Sequence, residues 1–345
     1  MTVGTSAARA QTRPAPTLEE VAERAGVSRS TASRAINGGL RVSPEALAAV
    51  EAAVTALGYT PNRAARSLVT RRTDSIALVI PEPDERVLSD PFFAGTLSGL
   101  SAALQASDLQ LILLIARPGD NARTLRYLRN GHVDGAVVVS HHRDDSVAVA
   151  LLDAQVPYVF IGRPLSGDRA IQYVDVDNVR GARLATEHLI ARGHRRIATI
   201  AGPEDMAAGI DRLEGWRDAM STAGLADDAV THGDFTIEGG IAAIRPLLAA
   251  HPDIDAIFVA SDLMAVGAMR HLAELGVRVP GDIAIVGYDN LALAATVQPP
   301  LTTVGNPVVA MAKAAGTFLL DQLSGSSTAA RTTIFSPELI IRASS

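Results

Sequence analysis

Two rhythms of apolar and polar residues divide the chain. Between residues 17 and 57 apolar positions recur at three- and four-residue steps, which is the spacing of one helix face. Thr17-Leu-Glu-Glu20 reads as a capping box, followed by Leu18, Val21, Ala22 and Ala25 on one face and by Gly26 as a stop. Ser28 can cap a second helix running to about Asn37. Ser43-Pro44-Glu45 supplies a cap, a first-turn proline and an acid for a third helix, which ends at Leu57 before Gly58. A short glycine-containing turn between the first two helices is the pattern of a helix-turn-helix. Residues 1–16 have no periodicity and are expected to form a disordered tail. Residues 61–73 are a basic connector in which Asn62 can cap a short conditional helix.

From Asp74 the rhythm becomes strand and helix in alternation. Apolar strand candidates are 76–80, 111–115, 136–139, 158–161, 197–200, 256–260 and 283–286, with helical stretches such as 179–191 and 263–275 between them. Near-continuous apolar strands separated by helices mean parallel sheets covered on both faces. Some 270 residues of this rhythm exceed one doubly wound unit, so two lobes are expected. Ligands of such sheets sit beyond the carboxyl ends of the strands.

Composition narrows the class. The chain has 345 residues, 48% of them hydrophobic and 20% charged, which is ordinary for a folded protein. Cysteine is absent, so disulfide scaffolds, thiol nucleophiles and cysteine-bound metals are excluded. No apolar run approaches the ~18 residues of a membrane span, and no secretory h-region follows the N-terminal arginines, so a cytoplasmic, non-membrane protein is expected. The net charge of −6 conceals an asymmetry: residues 1–72 hold ten arginines against five acids, leaving −11 on the rest. A basic head on an acidic body points to a polyanionic partner for the head alone.

The second helix reads Val27-Ser-Arg-Ser-Thr-Ala-Ser-Arg-Ala-Ile-Asn37. Val27, Ala32, Ala35 and Ile36 can pack inward, leaving Arg29, Ser30, Ser33 and Arg34 outward together. Arginine can bond two acceptors of guanine in the major groove, and serine or threonine hydroxyls can hold phosphates. A solvated basic face on a small bundle is the plainer alternative, but the turn spacing, the charge split and the small outward residues together favour DNA.

Thr17–Ser28, Thr31-Ala-Ser-Arg34, Asn37 and Gly58-Tyr-Thr-Pro-Asn62 resemble the DNA-binding head of the lactose/galactose repressor (LacI/GalR) family. The resemblance continues through Gly193–Ile197, Arg212–Trp216, Ala260-Ser-Asp262, Val279-Pro280, Val286–Asn290 and Pro300–Thr303. It implies a small all-α helix-turn-helix head (17–60), a hinge (61–73) and an α/β two-lobed periplasmic-binding-protein-like body (74–345) with two doubly wound parallel sheets. The expected N-lobe covers about 74–162 and 291–323, and the C-lobe about 163–290 and 324–345. The resemblance places Thr17, Ser28, Arg29, Ser30, Thr31, Ser33, Arg34, Asn37, Tyr59, Asn62, Arg63 and Arg66 on the DNA, and Leu68 as a wedge between base pairs in the minor groove. Arg29 stands where the family tends to have tyrosine or a similar residue, a departure that leaves the exact half-site open. The family implies a homodimer on a palindromic operator and an allosteric small-molecule effector, with a mono- or disaccharide and release from DNA as the expectation. The residues themselves leave the direction of the response open. No leucine heptad follows Arg331, so a tetramerising tail is not expected.

For the effector, positions matching Phe93, Arg212, Phe235 and Asp262 lie at or near the family's ligand. Arginine offers a fixed fork of donors and Asp262 an acceptor just beyond a strand. Asp262 can equally cap a helix, and Arg212 can equally form a structural salt bridge. Tyr288 can serve either the core or the ligand, whereas Phe92 and Trp216 are assigned to the core. His141 follows a strand and is expected at the cleft edge, without a metal, since no third ligand accompanies His141 and His142. Capping accounts for Asp177, which leaves Asp175 without a catalytic partner. No nucleophile elbow, phosphate loop or dinucleotide fingerprint is present, so neither a cofactor nor an enzymatic reaction is expected. Three classes remain in competition: a ligand-controlled DNA-binding regulator, a sugar transport protein, and an α/β enzyme with a helical accessory. The basic head favours the first.

Overall fold

The computed structural model describes residues 16–37, 42–60, 72–117, 119–143, 146–165, 171–326 and 331–345. The chain forms two compact units, 1–73 and 74–345. The expectations for Asn62, Arg63, Arg66 and Leu68, and for a tail over 1–15, lie outside the described residues.

Among the described residues the head holds three helices: α1 (Leu18–Arg24), α2 (Arg29–Ile36) and α3 (Pro44–Leu57). Each starts on a hydroxyl. The Glu20 N–H donates to Thr17 Oγ1 at 3.3 Å while the Thr17 N–H donates to Glu20 Oε2 at 2.7 Å, which completes the capping box. Ser28 accepts from the Thr31 N–H and Ser43 from the Ala46 N–H. Gly26 and Gly58 adopt φ of +65° and +63° at the ends of α1 and α3, a conformation glycine enters without a Cβ penalty. Val21, Ala22, Ala32, Val50 and Ala53 make the core, and Tyr59 packs against it.

The body has two six-stranded sheets. The first contains β1 (Ser75–Ile80), β2 (Gln110–Ile115), β3 (Gly135–Val139), β4 (Tyr158–Ile161), β5 (Tyr173–Val176) and β11 (Thr332–Phe335), in the order β11-β5-β4-β3-β1-β2 and wholly parallel. The second contains β6 (Ile197–Ala201), β7 (Val230–His232), β8 (Ala256–Val259), β9 (Ala284–Asp289), β10 (Thr302–Gly305) and β12 (Glu338–Ile340), in the order β12-β10-β9-β8-β6-β7. Only β12 runs antiparallel there, against β10. The helices are α4 (Asp84–Ser89), α5 (Pro91–Leu104), α6 (Ala122–Arg129), α7 (Ser146–Asp153), α8 (Asn178–Ala191), α9 (Ala207–Thr222), α10 (Ile237–Ala250), α11 (Asp262–Glu274) and α12 (Val308–Leu323).

The lobe boundaries differ from those expected. β5 joins the first sheet, so the chain first crosses after Val176 and not at 162. β10 joins the second sheet, so the return crossing lies between Gly305 and Val308 and not at 290. β11 returns to the first sheet and β12 to the second, so a third crossing lies between Phe335 and Glu338. These strands are three or four residues long and their apolar residues are interrupted by Thr, Asp, Gly or Glu. Val174, Val176 and Val304 pack into the cores, but none of the strands is long enough to read as an apolar run.

Small residues let helices meet closely. Gly99 of α5 lies against the Val309 carbonyl of α12, and Gly215 of α9 against the Val179 carbonyl of α8. A methyl at 215 has no space, and overpacking of this kind costs about 1–3 kcal/mol. Gly215→Ala is therefore expected to lower the unfolding free energy of the body by that amount in chemical denaturation.

Candidate functional site

On α2 of the head, Arg29, Ser30 and Arg34 are exposed and Ser33 is half-buried. Arg29 Nε donates to Glu19 Oε1 at 2.6 Å. Exposed pairs of this kind are worth at most about 1 kcal/mol, so Arg29 can exchange Glu19 for a phosphate or base at little cost. Arg34 Nε donates to the Ser30 carbonyl at 3.1 Å, leaving the tip of the guanidinium outward. Ser28, Ser30 and Thr31 hydroxyls contact one another at the start of α2, and Asn37 Nδ2 donates to the Ser33 carbonyl. Thr17 is exposed but already serves its capping box.

In the body, the carboxyl ends of strands from both sheets face a cleft lined by residues of both lobes, the usual place for a ligand of such sheets. The first lobe contributes Arg86, Asp90, Phe92, Ser140, His141, Arg163 and Asp175, and the second Asn178, Met206, Arg212, Phe235, Ser261 and Asp289. Asn306 joins them from the second crossing.

Arg212 on α9 organises the second lobe's wall although it is only 4% exposed. Its Nε donates to Asn178 Oδ1 at 2.9 Å, and Nη1 donates to the Ala260 carbonyl at 2.6 Å. Asp289 Oδ1 lies 3.4 Å from Nη1. The guanidinium stacks 3.6 Å above the Tyr288 ring. Phe235 stands between Arg212 and Arg86 of the opposite lobe, with ring-to-guanidinium distances of 5.7 and 5.8 Å. Backbone strain gathers at the same place. Ser140, Phe235 and Asp289 have φ of +56°, +66° and +108°, conformations that cost non-glycine residues about 1–3 kcal/mol each and that favour ligand sites.

The charges in the cleft are matched. Arg86 Nη1 donates to buried Glu82 at 2.8 Å, and Arg163 Nη2 donates across the cleft to Asp211 at 2.6 Å. Burial raises Asp90 and Asp175 to about 6, and it raises Asp289 against the pull of Arg212. Asp175 accepts from the Arg163 and Val176 N–H groups and from Asn178 Nδ2, so it anchors the first crossing. Asp177 caps α8 through the Arg180 N–H. Burial lowers His141 to about 4, so its ring is neutral near pH 7. A second cross-lobe contact lies beside it. His142 Nδ1 is 2.8 Å from Asp205 and its Nε2 is 3.3 Å from Glu82, which raises His142.

Of the residues expected from sequence, the cleft brings together His141, Arg212 and Phe235. Phe93 is in the core at 1% exposure, and its neighbour Phe92 faces the cleft instead. The cap at Asp90 sets the phase of α5, and the two rings meet edge to face. Tyr288 is buried beneath Arg212, and the next residue, Asp289, reaches the cleft. Asp262 is wholly buried, while Ser261 caps α11 and lines the cleft. Arg86, Asp90, Arg163, Asn178 and Asn306 carried no family landmark and were not foreseen. Among the described residues no group of three or more His, Asp or Glu could hold a metal, and no helix is long and apolar enough to cross a membrane.

Asp262 accepts from the Thr303 hydroxyl at 2.6 Å and the Leu291 N–H at 2.8 Å. Burial and the nearby Asp289 charge raise it to about 8. The unfolded carboxyl releases its proton near pH 4, so folding takes up a proton between these values. This contribution makes stability fall as pH rises through that window. Asp262→Asn is expected to flatten the decline in unfolding free energy between pH 6 and 8, measured by denaturation at each pH.

Comparison with known proteins bears on both units. The description of the lacI family of bacterial regulatory proteins matches residues 17–62, and that of a periplasmic binding protein-like domain matches residues 186–345. The chain is 47% identical to HTH-type transcriptional regulator CelR of Thermobifida fusca over 336 residues, which is 96% of this chain and 99% of that protein. It is similar to the solved transcriptional regulator CelR-cellobiose complex, with a TM-score of 0.78 at 45% identity, covering 96% of this chain and 100% of that one. It is also similar to the lac repressor dimer bound to operator and the anti-inducer ONPF, with a TM-score of 0.82 at 28% identity over 96% and 99% of the two chains.

Proposed function

This chain belongs to the lacI family of bacterial regulatory proteins and is a DNA-binding transcriptional regulator, not an enzyme, and we propose that it represses sugar-utilisation genes as a homodimer released by cellobiose or a saccharide of that size. The observation that carries the effector reading is the wall built on Arg212. It places the Arg212 guanidinium, the Asp289 carboxylate and the Phe235 ring face together in a cleft lined by both lobes. Polyols need paired donors and acceptors together with an apolar face. Likeness to a transcriptional regulator solved as a cellobiose complex, at 45% identity, supports the same class. A phosphorylated or nucleotide corepressor fits less well. Arg86, Arg163 and Arg212 already face Glu82, Asp211 and Asp289, which leaves no uncompensated positive field for a phosphate.

Two heads would read one palindrome, because each α2 serves one half-site, and half-sites of such motifs lie about 34 Å apart or a multiple of it. Arg29, Ser30, Ser33 and Arg34 would face the bases, with Thr17, Ser28, Thr31 and Asn37 nearer the phosphates. Tyr59 would act mainly by packing on the head core. The regulator would work in the cytoplasm, on the nucleoid. Ligand between the lobes would shift their angle, and allosteric coupling of this kind is typically worth about 1–3 kcal/mol.

Fluorescence anisotropy of DNA from upstream of this protein's own gene tests the proposal. Specific binding that cellobiose or another saccharide of that size weakens is expected, and specific binding indifferent to every saccharide tested would refute the effector class. Arg34→Ala is expected to cut the ratio of specific to non-specific affinity about tenfold or more while leaving the body's melting unchanged. Arg212→Lys keeps a buried cation beside Asp289 but loses the fork to Asn178 and the Ala260 carbonyl; with thermal melts establishing that it folds, it is expected to keep operator binding and weaken the response to saccharide. A normal response in that variant would move the effector elsewhere.

A further inference from the structure

Three residues that line the cleft each carry a buried side-chain polar atom with no partner among the described residues: Arg86 Nε, His141 Nδ1 and Asn306 Oδ1. They stand apart from the fork of Arg212, whose Nε and Nη1 are already engaged. A buried polar atom left unpaired is unfavourable, and unpaired atoms at a built site state what a ligand must bring.

His141 is the most informative of the three. Its Nε2 lies 3.2 Å from the Arg163 carbonyl, an acceptor only, so Nε2 carries the ring proton. The neutral ring therefore presents Nδ1 as a lone-pair acceptor. The Phe160 ring packs 4.6 Å from the imidazole, and Gly162 lies beside Cε1 with space where a Cβ would stand at 3.6 Å. These neighbours fix the ring without satisfying Nδ1. The ionic groups around it belong to other partnerships: Glu82 to Arg86 and His142, Asp205 to His142, and Arg163 to Asp211.

We propose that His141 is a specificity-determining residue of the first lobe, which accepts a hydrogen bond at Nδ1 from one hydroxyl of the saccharide. The proposal rests on the saccharide reading above and adds a second point of selection, on the lobe opposite Arg212. A group at that position that can accept but not donate leaves Nδ1 empty. A site built around a hydroxyl donor rejects analogues lacking the donor far more strongly than it rejects a change of bulk.

The test uses full-length protein and calorimetric titration with cellobiose and its monodeoxy and monofluoro analogues. Fluorine accepts weakly and cannot donate, so it separates the two senses of the bond. At one hydroxyl, both analogues are expected to bind wild-type protein about five- to hundredfold more weakly than cellobiose. His141→Gln keeps a donor for the Arg163 carbonyl but has no acceptor at the Nδ1 position, and it should abolish that discrimination. His141→Asn places an oxygen near Nδ1 and should preserve it. Thermal melts and operator binding establish that both variants fold. Equal discrimination in wild type and His141→Gln would overturn the proposal, as would the absence of any hydroxyl at which both analogues lose affinity. Failure of wild type to bind cellobiose or any other saccharide would instead overturn the reading on which it rests.

Discussion

The body depends on one buried cation. Arg212 gathers the start of α8, the end of β8 and the end of β9 around its guanidinium, and it rests on the Tyr288 ring. Removing one partner from a buried charge pair typically costs about 3–5 kcal/mol, because the survivor stays desolvated. The carboxyl ends of the second sheet's strands are therefore held in register by a side chain that also faces the ligand space. The wall that would recognise ligand and the scaffold that keeps the strand ends together are the same group of atoms.

The opposite wall is arranged differently. Glu82 is buried at 3% exposure and holds Arg86, Ser140 and His142 together. Two contacts then cross to the other lobe, the ion pair of Arg163 with Asp211 and the hydrogen bond of His142 with Asp205, whose carboxylate helps raise the histidine's pKa. Each pairs a base on the first lobe with an acid on the second, so the attraction between the lobes has a fixed sense. The three arginines that line the cleft, Arg86, Arg163 and Arg212, each have an acid beside them. The positive φ values at Ser140, Phe235 and Asp289 place strain in both walls, where rigid sheets on either side can sustain it.

What the amino-acid order made legible follows from what each element needs. The capped helices of the head and the seven apolar strands carry their own signals. β5, β7, β10, β11 and β12 do not, because three or four residues interrupted by Thr, Asp, His, Gly or Glu are too few to stand out as an apolar run. The lobe boundaries were misplaced for that reason. The missed cleft residues share another pattern: Phe92 lines the cleft where Phe93 was expected, Ser261 where Asp262 was, and Asp289 where Tyr288 was. Each is one residue away. Successive side chains on a strand point to opposite faces, and successive helical positions differ by about 100°. A motif fixes the neighbourhood of a site, but only the element's phase decides which member of a pair faces the ligand. Arg86, Asn178 and Asn306 were illegible for a third reason, since each comes from a separate element that only the fold brings near Arg212 or Phe235.

The interleaved lobes also bear on how the chain is made. α5 packs against α12 through Gly99, and β11 completes the first sheet, yet α12 and β11 emerge from the ribosome only after the whole of β6 to β10. About 200 residues separate the end of α5 from the start of α12, which at typical bacterial elongation rates is roughly 10–40 s of synthesis. Throughout that interval the face of α5 bearing Gly99 and Leu100 lacks its cover. The first lobe, although begun early, is finished after most of the second. Until then this helix face stays an uncovered apolar surface of the growing chain.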